Sequence, residues 1–288
     1  MNVTDFFHSR RAGFDAVFFD IDGTLITAQQ ELPGAANFLQ YLRCENIPFY
    51  LLTNDGNHST LEKSQLMAKA GVNVSTDEII SCGDALVDVV RENHFSGQKF
   101  FVMGDLGVPC YAENAGLFPI RDVKRIEECT GVIVGEGFYN WQKNISAVFN
   151  FFRRHPERPF IVPNPDSYWP GGPNGDFGIG AGAKARFVKM LLQDMDINLE
   201  ILYLGKPYPA IYRYAMHCLA ERLNSPVDPK RILMLGDSLQ SDILGANRLG
   251  ISSGLLLTGI TSRELAEKAV AEQSELAPEI IFETIGRR

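Results

Sequence analysis

The stretch AVFFDIDGTL, residues 16–25, joins a short apolar run to two aspartates one residue apart, Asp20 and Asp22. An apolar run that stops at charge is typical of a buried parallel strand at its carboxyl end. Just past a strand end the chain can coil, so that both carboxylates approach one point. Gly23 allows such a turn. An ordinary Asp-Gly turn between strands is the alternative, and this stretch alone does not decide between them.

Segments on both sides of this stretch continue as alternating strands and helices. Ile47 to Leu52 has the composition of a second buried strand, and Pro33 to Arg43 predicts a helix, with proline in its first turn. The pattern returns later, with predicted strands at Glu200–Leu204, Arg231–Leu235, Gly254–Leu257 and Glu279–Phe282 and a predicted helix at Ala210–Arg222. This order predicts an α/β fold, a doubly wound, Rossmann-like parallel sheet with ligands at the carboxyl edge of its strands.

The middle of the chain has the pattern of a second α/β unit. Strands are predicted at Phe100–Met103, Gly131–Val134 and Phe160–Val162, and a helix at Ile145–Arg154. We therefore predict a core domain built from residues 1–84 and 186–288, with an inserted α/β cap domain at residues 85–185. The glycine-rich stretch GIGAGAKA, residues 178–185, is interpreted as a hinge and helix start between the two.

Composition and charge exclude several classes of protein. The chain has 288 residues, 45% of them hydrophobic, with a formal net charge of −8, which argues against nucleic acid as a partner. No apolar run reaches the roughly 18 residues that a membrane-spanning helix needs. The five cysteines are scattered and form no C-x-x-C pair, so unpaired thiols and a cytoplasmic location are expected.

Three further polar groups follow predicted strands. Thr53 and Asn54 offer a hydroxyl and backbone N–H groups for phosphate oxygens, although they could instead be an ordinary helix cap. Lys206 could offset the charge of a phosphoryl group, or it could be an exposed loop lysine. Asp237 and Asp242 form a second carboxylate pair of the kind that Mg²⁺ needs, unless Asp237 only caps a helix. The coincidence of all these groups at strand ends favours the functional interpretation.

Four segments carry a resemblance to a known family: DIDGTL, LLTND, GKPYP and GDSLQSDILGA. They resemble, in order, the four motifs of the haloacid dehalogenase (HAD) superfamily. Their spacing is similar to the NagD-like branch, in which a cap domain lies between the second and third motifs. The resemblance extends over almost the whole chain and implies the core-and-cap organisation given above.

The resemblance implies a role for each matching residue. Asp20 would be the nucleophile that takes the phosphoryl group, and Asp22 the acid and base. Thr53 and Asn54 would hold the phosphate, and Lys206 would steady both phosphate and nucleophile.

The metal and substrate contacts follow from the same resemblance. Asp237 would ligate Mg²⁺ beside the Asp20 carboxylate and the Asp22 backbone carbonyl, and Asp242 would bind the ion through water or support its ligands. In the cap, Asn164 and Asp166 of the N-P-D segment would contact the substrate.

These assignments predict a Mg²⁺-dependent phosphomonoesterase that acts on a sugar phosphate or a nucleotide through an aspartyl-phosphate intermediate. Alternatives are a phosphomutase or phosphotransferase on the same scaffold, or a non-catalytic phosphate-responsive binding module. The expected partner is a small phosphate ester, with neither nucleic acid nor membrane, and the resemblance suggests a homodimer through the cap.

Two details stay open in the sequence. The second motif departs from its usual form by placing Asp55 after Asn54, and neither Asp55 nor the nearby His58 can be assigned to the site. In the cap, Tyr168 and Trp169 could contact the substrate or pack in a small core.

Overall fold

A computed structural model describes residues 1–9, 13–170 and 176–286 of the chain. The chain divides into two compact units. The first unit comprises Met1–Thr53, Thr60–Ile80 and Lys206–Arg288, and the second comprises Asn54–Ser59 and Ser81–Gly205. These units differ from the predicted division, because residues 54–59, 81–84 and 186–205 belong with the second unit.

Helices and strands alternate through most of the chain. The helices are α1 (Val3–Ser9), α2 (Ala35–Cys44), α3 (Thr60–Lys69), α4 (Leu86–Glu92), α5 (Tyr111–Asn114), α6 (Trp141–Arg154), α7 (Ala181–Gln193), α8 (Pro209–Leu223), α9 (Leu244–Arg248) and α10 (Arg263–Ala271). The strands are β1 (Ala16–Phe19), β2 (Ile26–Thr27), β3 (Gln30–Glu31), β4 (Phe49–Thr53), β5 (Ile79–Ser81), β6 (Lys99–Met103), β7 (Phe118–Ile120), β8 (Gly131–Val134), β9 (Phe160–Val162), β10 (Tyr168–Pro170), β11 (Phe177–Ile179), β12 (Ile201–Tyr203), β13 (Ile232–Gly236), β14 (Ser252–Leu256) and β15 (Ile280–Phe282).

A six-stranded sheet with the order β15-β14-β13-β1-β4-β5 forms the centre of the first unit. β1 lies between β13 and β4 and runs parallel to both, with Ala16 opposite Ile232 and Val17 opposite Phe49. Every residue of β1, β4 and β13 is buried. Burial on both faces explains why these segments are continuous apolar runs rather than alternating ones. The predicted α/β fold with a parallel sheet is confirmed.

The first unit also contains a helix that the sequence analysis does not predict. α1 precedes β1, and its Val3, Phe6 and Phe7 are buried. The Phe6 ring lies edge-on to the ring of Phe282 in β15, with 5.4 Å between their centroids. A helix of seven residues has only two turns, too few to establish a periodic apolar pattern.

A five-stranded sheet with the order β12-β9-β8-β6-β7 forms the centre of the second unit, and all its neighbouring strands are parallel. β12 corrects one expectation. The sequence analysis assigns Glu200–Leu204 to the same sheet as Asp20, but Ile201 lies opposite Phe160 of β9 in the second sheet. A strand's composition shows that it is buried but not which sheet it joins. The chain therefore re-enters the first unit only at Lys206.

The cap aromatics lie on a small antiparallel hairpin formed by β10 and β11. Tyr168 is 65% exposed and Trp169 is 42% exposed, so neither fills a core of the second unit. The Tyr168 ring meets the Phe177 ring edge-on, with 5.4 Å between centroids. Part of the proline- and glycine-rich segment here, residues 171–175, lies outside the described residues. The stretch GIGAGAKA does begin a helix, α7, but within the second unit.

Two further expectations concern the cysteines and the helices. Each of the five cysteines is a free thiol. Of the helices in the described ranges, none is both long enough and apolar enough to cross a membrane.

Candidate active site

Lys206 joins two acidic side chains at the carboxyl edge of the first sheet. Its Nζ atom lies 2.5 Å from Oδ1 of Asp20, the residue that follows β1, and 2.7 Å from Oδ1 of Asp242. The Lys206 side chain is 3% exposed, and Asp20 is partly accessible at 16%. An ammonium held this tightly by two carboxylates is a fixed positive charge next to an accessible carboxylate.

Asp237 follows β13, the strand next to β1, and its carboxylate faces the loop after β14. Oδ2 of Asp237 accepts a hydrogen bond of 2.7 Å from the backbone N–H of Ile260. The cap of the following helical turn, Leu239–Ile243, is Ser238, whose hydroxyl accepts from the Ser241 N–H. Asp237 is therefore not the helix cap that the sequence left as an alternative.

Asp242 lies in that turn and is completely buried. Its Oδ2 atom accepts from the Ser238 N–H at 3.1 Å, while Oδ1 faces Lys206. The Tyr212 hydroxyl of α8 donates to the carbonyl oxygens of Ser241 and Asp242, at 3.1 and 3.2 Å. The Ser238 N–H and the Tyr212 hydroxyl therefore both fix the turn that carries Asp242.

Asp20, Asp237 and Asp242 each offer a carboxylate oxygen within 4.8 Å of the others. Burial raises the pKa of Asp237, and its two acidic neighbours raise it further. The pKa of Asp242 is also raised by burial, although Lys206 opposes the shift. Burial alone would lower the pKa of Lys206, but the nearby carboxylates outweigh it and hold that pKa high. The cluster has more negative charge than one lysine can offset, and a cation bound by oxygen ligands would relieve the repulsion.

Two glycines leave the room that the Asp237 carboxylate occupies. A Cβ atom on Gly23 would lie 2.4 Å from Oδ2 of Asp237, and one on Gly259 only 1.8 Å from it. Gly23 also has a φ of +75°, which favours glycine. Its carbonyl oxygen accepts from the Thr258 hydroxyl at 2.5 Å. The loops after β1 and β14 are therefore fitted around Asp237.

Two parts of the site are absent from the sequence predictions, the loop after β14 and Tyr212 of α8. Thr258, Gly259 and Ile260 each touch the site through one of the contacts above. The only available signal for this loop is its position after a buried strand of the same sheet. Tyr212 has no such signal, because a tyrosine within a helix pattern reads as an ordinary core residue.

The remaining predicted residues of the first unit are Asp22 and Thr53. Asp22 is exposed, two residues beyond Asp20. Thr53 is the last residue of β4, the other neighbour of β1, and is 5% exposed. Both positions follow from the strand order, because parallel strands bring their carboxyl ends to one edge.

Asn54 begins the second unit, where its carboxamide donates to the carboxylate of Asp166. Asn164 is buried and donates to the Glu136 carboxylate at 2.8 Å. These predicted substrate-binding residues therefore bond to protein groups of the second unit.

Asp55 turns its carboxylate into its own loop. Oδ1 accepts from the N–H groups of Asn57 and His58, at 2.8 and 3.1 Å. Oδ2 lies 2.9 Å from Nδ1 of His58. The extra carboxylate of the second motif thus serves as a turn-forming residue that orients the His58 ring.

Comparisons with known proteins agree with this geometry. A family model described as haloacid dehalogenase-like hydrolase matches residues 17–118, and a second, HAD-hydrolase-like model matches residues 203–285. The ribonucleotide monophosphatase NagD of Escherichia coli K12 is 29% identical over 265 residues, 92% of this chain and 96% of that protein. The acid sugar phosphatase of Staphylococcus epidermidis (strain ATCC 12228 / FDA PCI 1200) is 24% identical over 251 residues, 87% of this chain and 89% of that protein.

A solved structure extends the comparison to the fold. The structure of NagD from E. coli K-12 superposes with a TM-score of 0.77 at 27% identity, covering 95% of this chain and 98% of that one. The two family models lie on the segments that contain Asp20 and the Asp237–Asp242 pair. From the matched models, the relatives and the shared fold together, this chain belongs to the haloacid dehalogenase superfamily, in its NagD-like phosphatase branch.

Proposed function

We propose that the protein is a Mg²⁺-dependent phosphomonoesterase that hydrolyses a small phosphorylated metabolite through an aspartyl-phosphate on Asp20. The observation that carries the proposal is the contact between Lys206 and Asp20, beside a second pair of buried carboxylates. A carboxylate that is accessible, oriented and paired with a fixed cation has what a nucleophile needs for phosphoryl transfer.

The proposed reaction has two steps. First, a carboxylate oxygen of Asp20 bonds to phosphorus while the bond to the ester oxygen breaks, and Asp22 gives a proton to the leaving alcohol. Then water attacks phosphorus, Asp22 takes a proton from it, phosphate leaves and the Asp20 carboxylate is restored. Asp22 suits this role because it is exposed, so that it can exchange protons with water and with the leaving group.

Lys206, Thr53 and Asn54 have positioning and charge roles in this proposal. Lys206 holds Oδ1 of Asp20 in one orientation and offsets negative charge as the phosphoryl group transfers. The Thr53 hydroxyl and the Asn54 main chain, at the end of β4, would hold phosphate oxygens.

The acidic cluster fits a magnesium ion. Asp20 and Asp237 would hold it directly, with the Asp22 backbone carbonyl. Asp242 would act through water or support the other ligands, because Lys206 engages its Oδ1 and the Ser238 N–H engages its Oδ2. When bound, the ion would cancel the repulsion between these carboxylates and an anionic ester. Gly23 and Gly259 let the Asp237 carboxylate lie in the cluster, where burial and the neighbouring carboxylates raise its pKa; a bound cation would relieve that repulsion.

The substrate class is proposed from the relatives. Their names point to ribonucleotide monophosphates in one case and to sugar phosphates in the other. We propose a nucleotide or a sugar phosphate for this chain. A phosphate-responsive module without catalysis is set aside because the chain belongs to a family of hydrolases. The homodimer through the second unit stays a prediction.

The test is phosphate release by the purified protein with Mg²⁺, measured on an aryl phosphate and on a panel of sugar phosphates and nucleotides. Asp20→Asn should abolish turnover without loss of folded protein, whereas Asp176→Asn, at an exposed aspartate, should not change it. Movement of phosphate within one substrate without release would support the phosphomutase alternative. No turnover on any substrate, with the protein folded and Mg²⁺ present, would refute the proposal.

A further inference from the structure

A continuous series of hydrogen bonds in the second unit leads to Asn54. Nδ2 of Asn54 lies 3.2 and 3.3 Å from the two carboxylate oxygens of Asp166. The backbone N–H of Asp166 donates to Oδ1 of Asn164 at 2.8 Å. Nδ2 of Asn164 donates to Oε1 of Glu136, also at 2.8 Å. We call these four residues, Asn54, Asp166, Asn164 and Glu136, the amide relay.

Regular structure anchors the far end of the amide relay. Glu136 comes two residues after β8, and its Oε1 atom also accepts from the N–H of Ala181, the first residue of α7. Both hydrogen bonds to Glu136 end on the same oxygen. A glutamine at this position would keep both, because its carbonyl oxygen is also an acceptor.

Burial fixes the orientation of both amides in the relay. Asn54 is 8% exposed, Asn164 is 4% exposed and Glu136 is 8% exposed. The Asn164 side-chain oxygen accepts from the Asp166 N–H, and its nitrogen donates to the Glu136 carboxylate. Rotating the amide by 180° would place its NH₂ group against the Asp166 N–H and its oxygen against the Glu136 carboxylate. Leaving buried polar groups unsatisfied is costly, and the relay therefore has one stable arrangement.

Glycines let the backbone close around the amide relay. A Cβ atom on Gly205 would lie 2.4 Å from Oδ1 of Asn54, and one on Gly180 would lie 2.3 Å from the carbonyl oxygen of Asp166. A Cβ atom on Gly182 would lie 2.0 Å from the carbonyl oxygen of Pro165. The Asn54 carboxamide is thus held between the Asp166 carboxylate on its nitrogen side and the Gly205 backbone on its oxygen side.

We propose that Asp166 is a positioning residue, which fixes the Asn54 carboxamide and so the main chain that would hold the phosphate. Asn164 and Glu136 fix Asp166 in turn. This inference rests on the proposed function, in which Asn54 contributes to phosphate binding. It replaces the substrate contact expected for Asn164 and Asp166, since both are engaged by the relay.

A double-mutant cycle on Asn54 and Asp166 tests the proposal. We would measure kcat and KM on an aryl phosphate with Mg²⁺, and the affinity for inorganic phosphate by titration calorimetry. Asp166→Ala should raise KM and weaken phosphate binding about tenfold, the effect of one charge-assisted hydrogen bond. Asp166→Asn keeps one acceptor oxygen and should recover most of the loss. The Asn54→Ala and Asp166→Ala effects should not add in the double variant.

The controls separate positioning from a general loss of stability. Asp194→Ala removes an exposed aspartate of the same unit and should leave both constants unchanged. Glu136→Gln should keep KM near that of the unchanged protein, whereas Asn164→Ala should raise it in the direction of Asp166→Ala. A purely structural role for Asp166 would lower the unfolding temperature and the active fraction without changing KM, and that result would overturn the proposal.

Two other outcomes also have defined meanings. If Asn54→Ala weakens phosphate binding and Asp166→Ala does not, or if the two effects add, the amide relay does not position Asn54. If the unchanged protein neither hydrolyses the aryl phosphate nor binds phosphate, the proposed function fails, and this is seen before any variant is made.

Discussion

The Nζ atom of Lys206 lies 2.7 Å from Oδ1 of Asp242, and both side chains are almost completely withdrawn from solvent. A buried ion pair of this kind contributes little net stability compared with two apolar residues, but removing one partner leaves a buried charge alone. Asp20 has some access to solvent and Asp242 has none. Loss of the ammonium would therefore affect Asp242 most.

Replacing Lys206 should therefore destabilise the fold as well as stop catalysis. Lys206→Met should lower the free energy of unfolding by about 3–5 kcal/mol, the usual cost of breaking a buried pair. Adding Asp242→Asn should restore part of this loss, because the unpaired charge is then gone. Urea denaturation of both variants measures the effect, with Lys268→Met, at a lysine whose side chain is 68% exposed, as the control. Equal losses for Lys206→Met and Lys268→Met would contradict this prediction.

Gly259→Ala should disturb the proposed metal site directly. The added methyl group would lie 1.8 Å from Oδ2 of Asp237, so the carboxylate has to move. We expect the Mg²⁺ concentration for half-maximal activity to rise by about tenfold, equivalent to roughly 1.4 kcal/mol of binding energy. Gly13→Ala is the matched control, since a Cβ atom there meets no atom of the described residues within 4 Å. An unchanged Mg²⁺ requirement in Gly259→Ala would show that Asp237 does not hold the ion.

Tyr212→Phe should loosen the turn that carries Asp242. The hydroxyl of this fully buried side chain donates to the carbonyls of Ser241 and Asp242. Without the hydroxyl, the two carbonyl oxygens lose this donor, which should lower the free energy of unfolding by about 1–2 kcal/mol. Activity should fall as well, through displacement of Asp242. Tyr41→Phe serves as the comparison, because the Tyr41 hydroxyl makes no hydrogen bond within the described residues, and its stability should not change.

Lys184→Met should stabilise the protein. Lys184 is 7% exposed, and its ammonium lies 5.0 Å from the centre of the Tyr139 ring. Among the described residues it forms no ion pair. Burial lowers the pKa of Lys184, although Glu136 acts in the opposite direction. Methionine keeps the contact with the ring and removes the buried charge, which should add about 1 kcal/mol.

The pH dependence of folding stability tests the prediction for Lys184→Met. Because the folded state binds the Lys184 proton less tightly than the unfolded state, the unchanged protein gains stability as pH rises from the folded pKa toward the unfolded pKa near 10.5. The advantage of Lys184→Met should therefore be largest below that window and shrink through it. Thermal unfolding between neutral and alkaline pH measures this, with the exposed Lys124→Met as control. An advantage that grows with pH would rule out burial of the charge as its cause.

Sequence reasoning predicts the parts of this protein that depend on local pattern. The apolar runs before Asp20 and Asp237 identify β1 and β13, because strands buried on both faces have few polar residues. The family resemblance then predicts that Asp20, Lys206 and Asp242 belong to one site, and in the structure Lys206 contacts both carboxylates.

Contacts between distant segments could not be predicted in the same way. That β12 joins β9, that Ile260 donates to Asp237, and that Asp166 accepts from Asn54 all depend on tertiary packing. Hydrophobic periodicity carries no information on which strand or loop is the neighbour. The family resemblance predicts that Asn164 and Asp166 contact the substrate, whereas in the structure Asn164 donates to Glu136 and Asp166 accepts from Asn54.

The pairing of Ala16 with Ile232 has a consequence for biosynthesis. A ribosome adding about 5–20 residues per second needs roughly ten seconds or more after β1 emerges before β13 is available. During that interval one edge of β1 lacks its final neighbour, although β4 is already present. All of the second unit, Asn54–Ser59 and Ser81–Gly205, is complete before β13 is made, so it can fold first on the nascent chain. Until β13 arrives, the open edge of the apolar AVFF strand can pair with other strands, which is a route to aggregation.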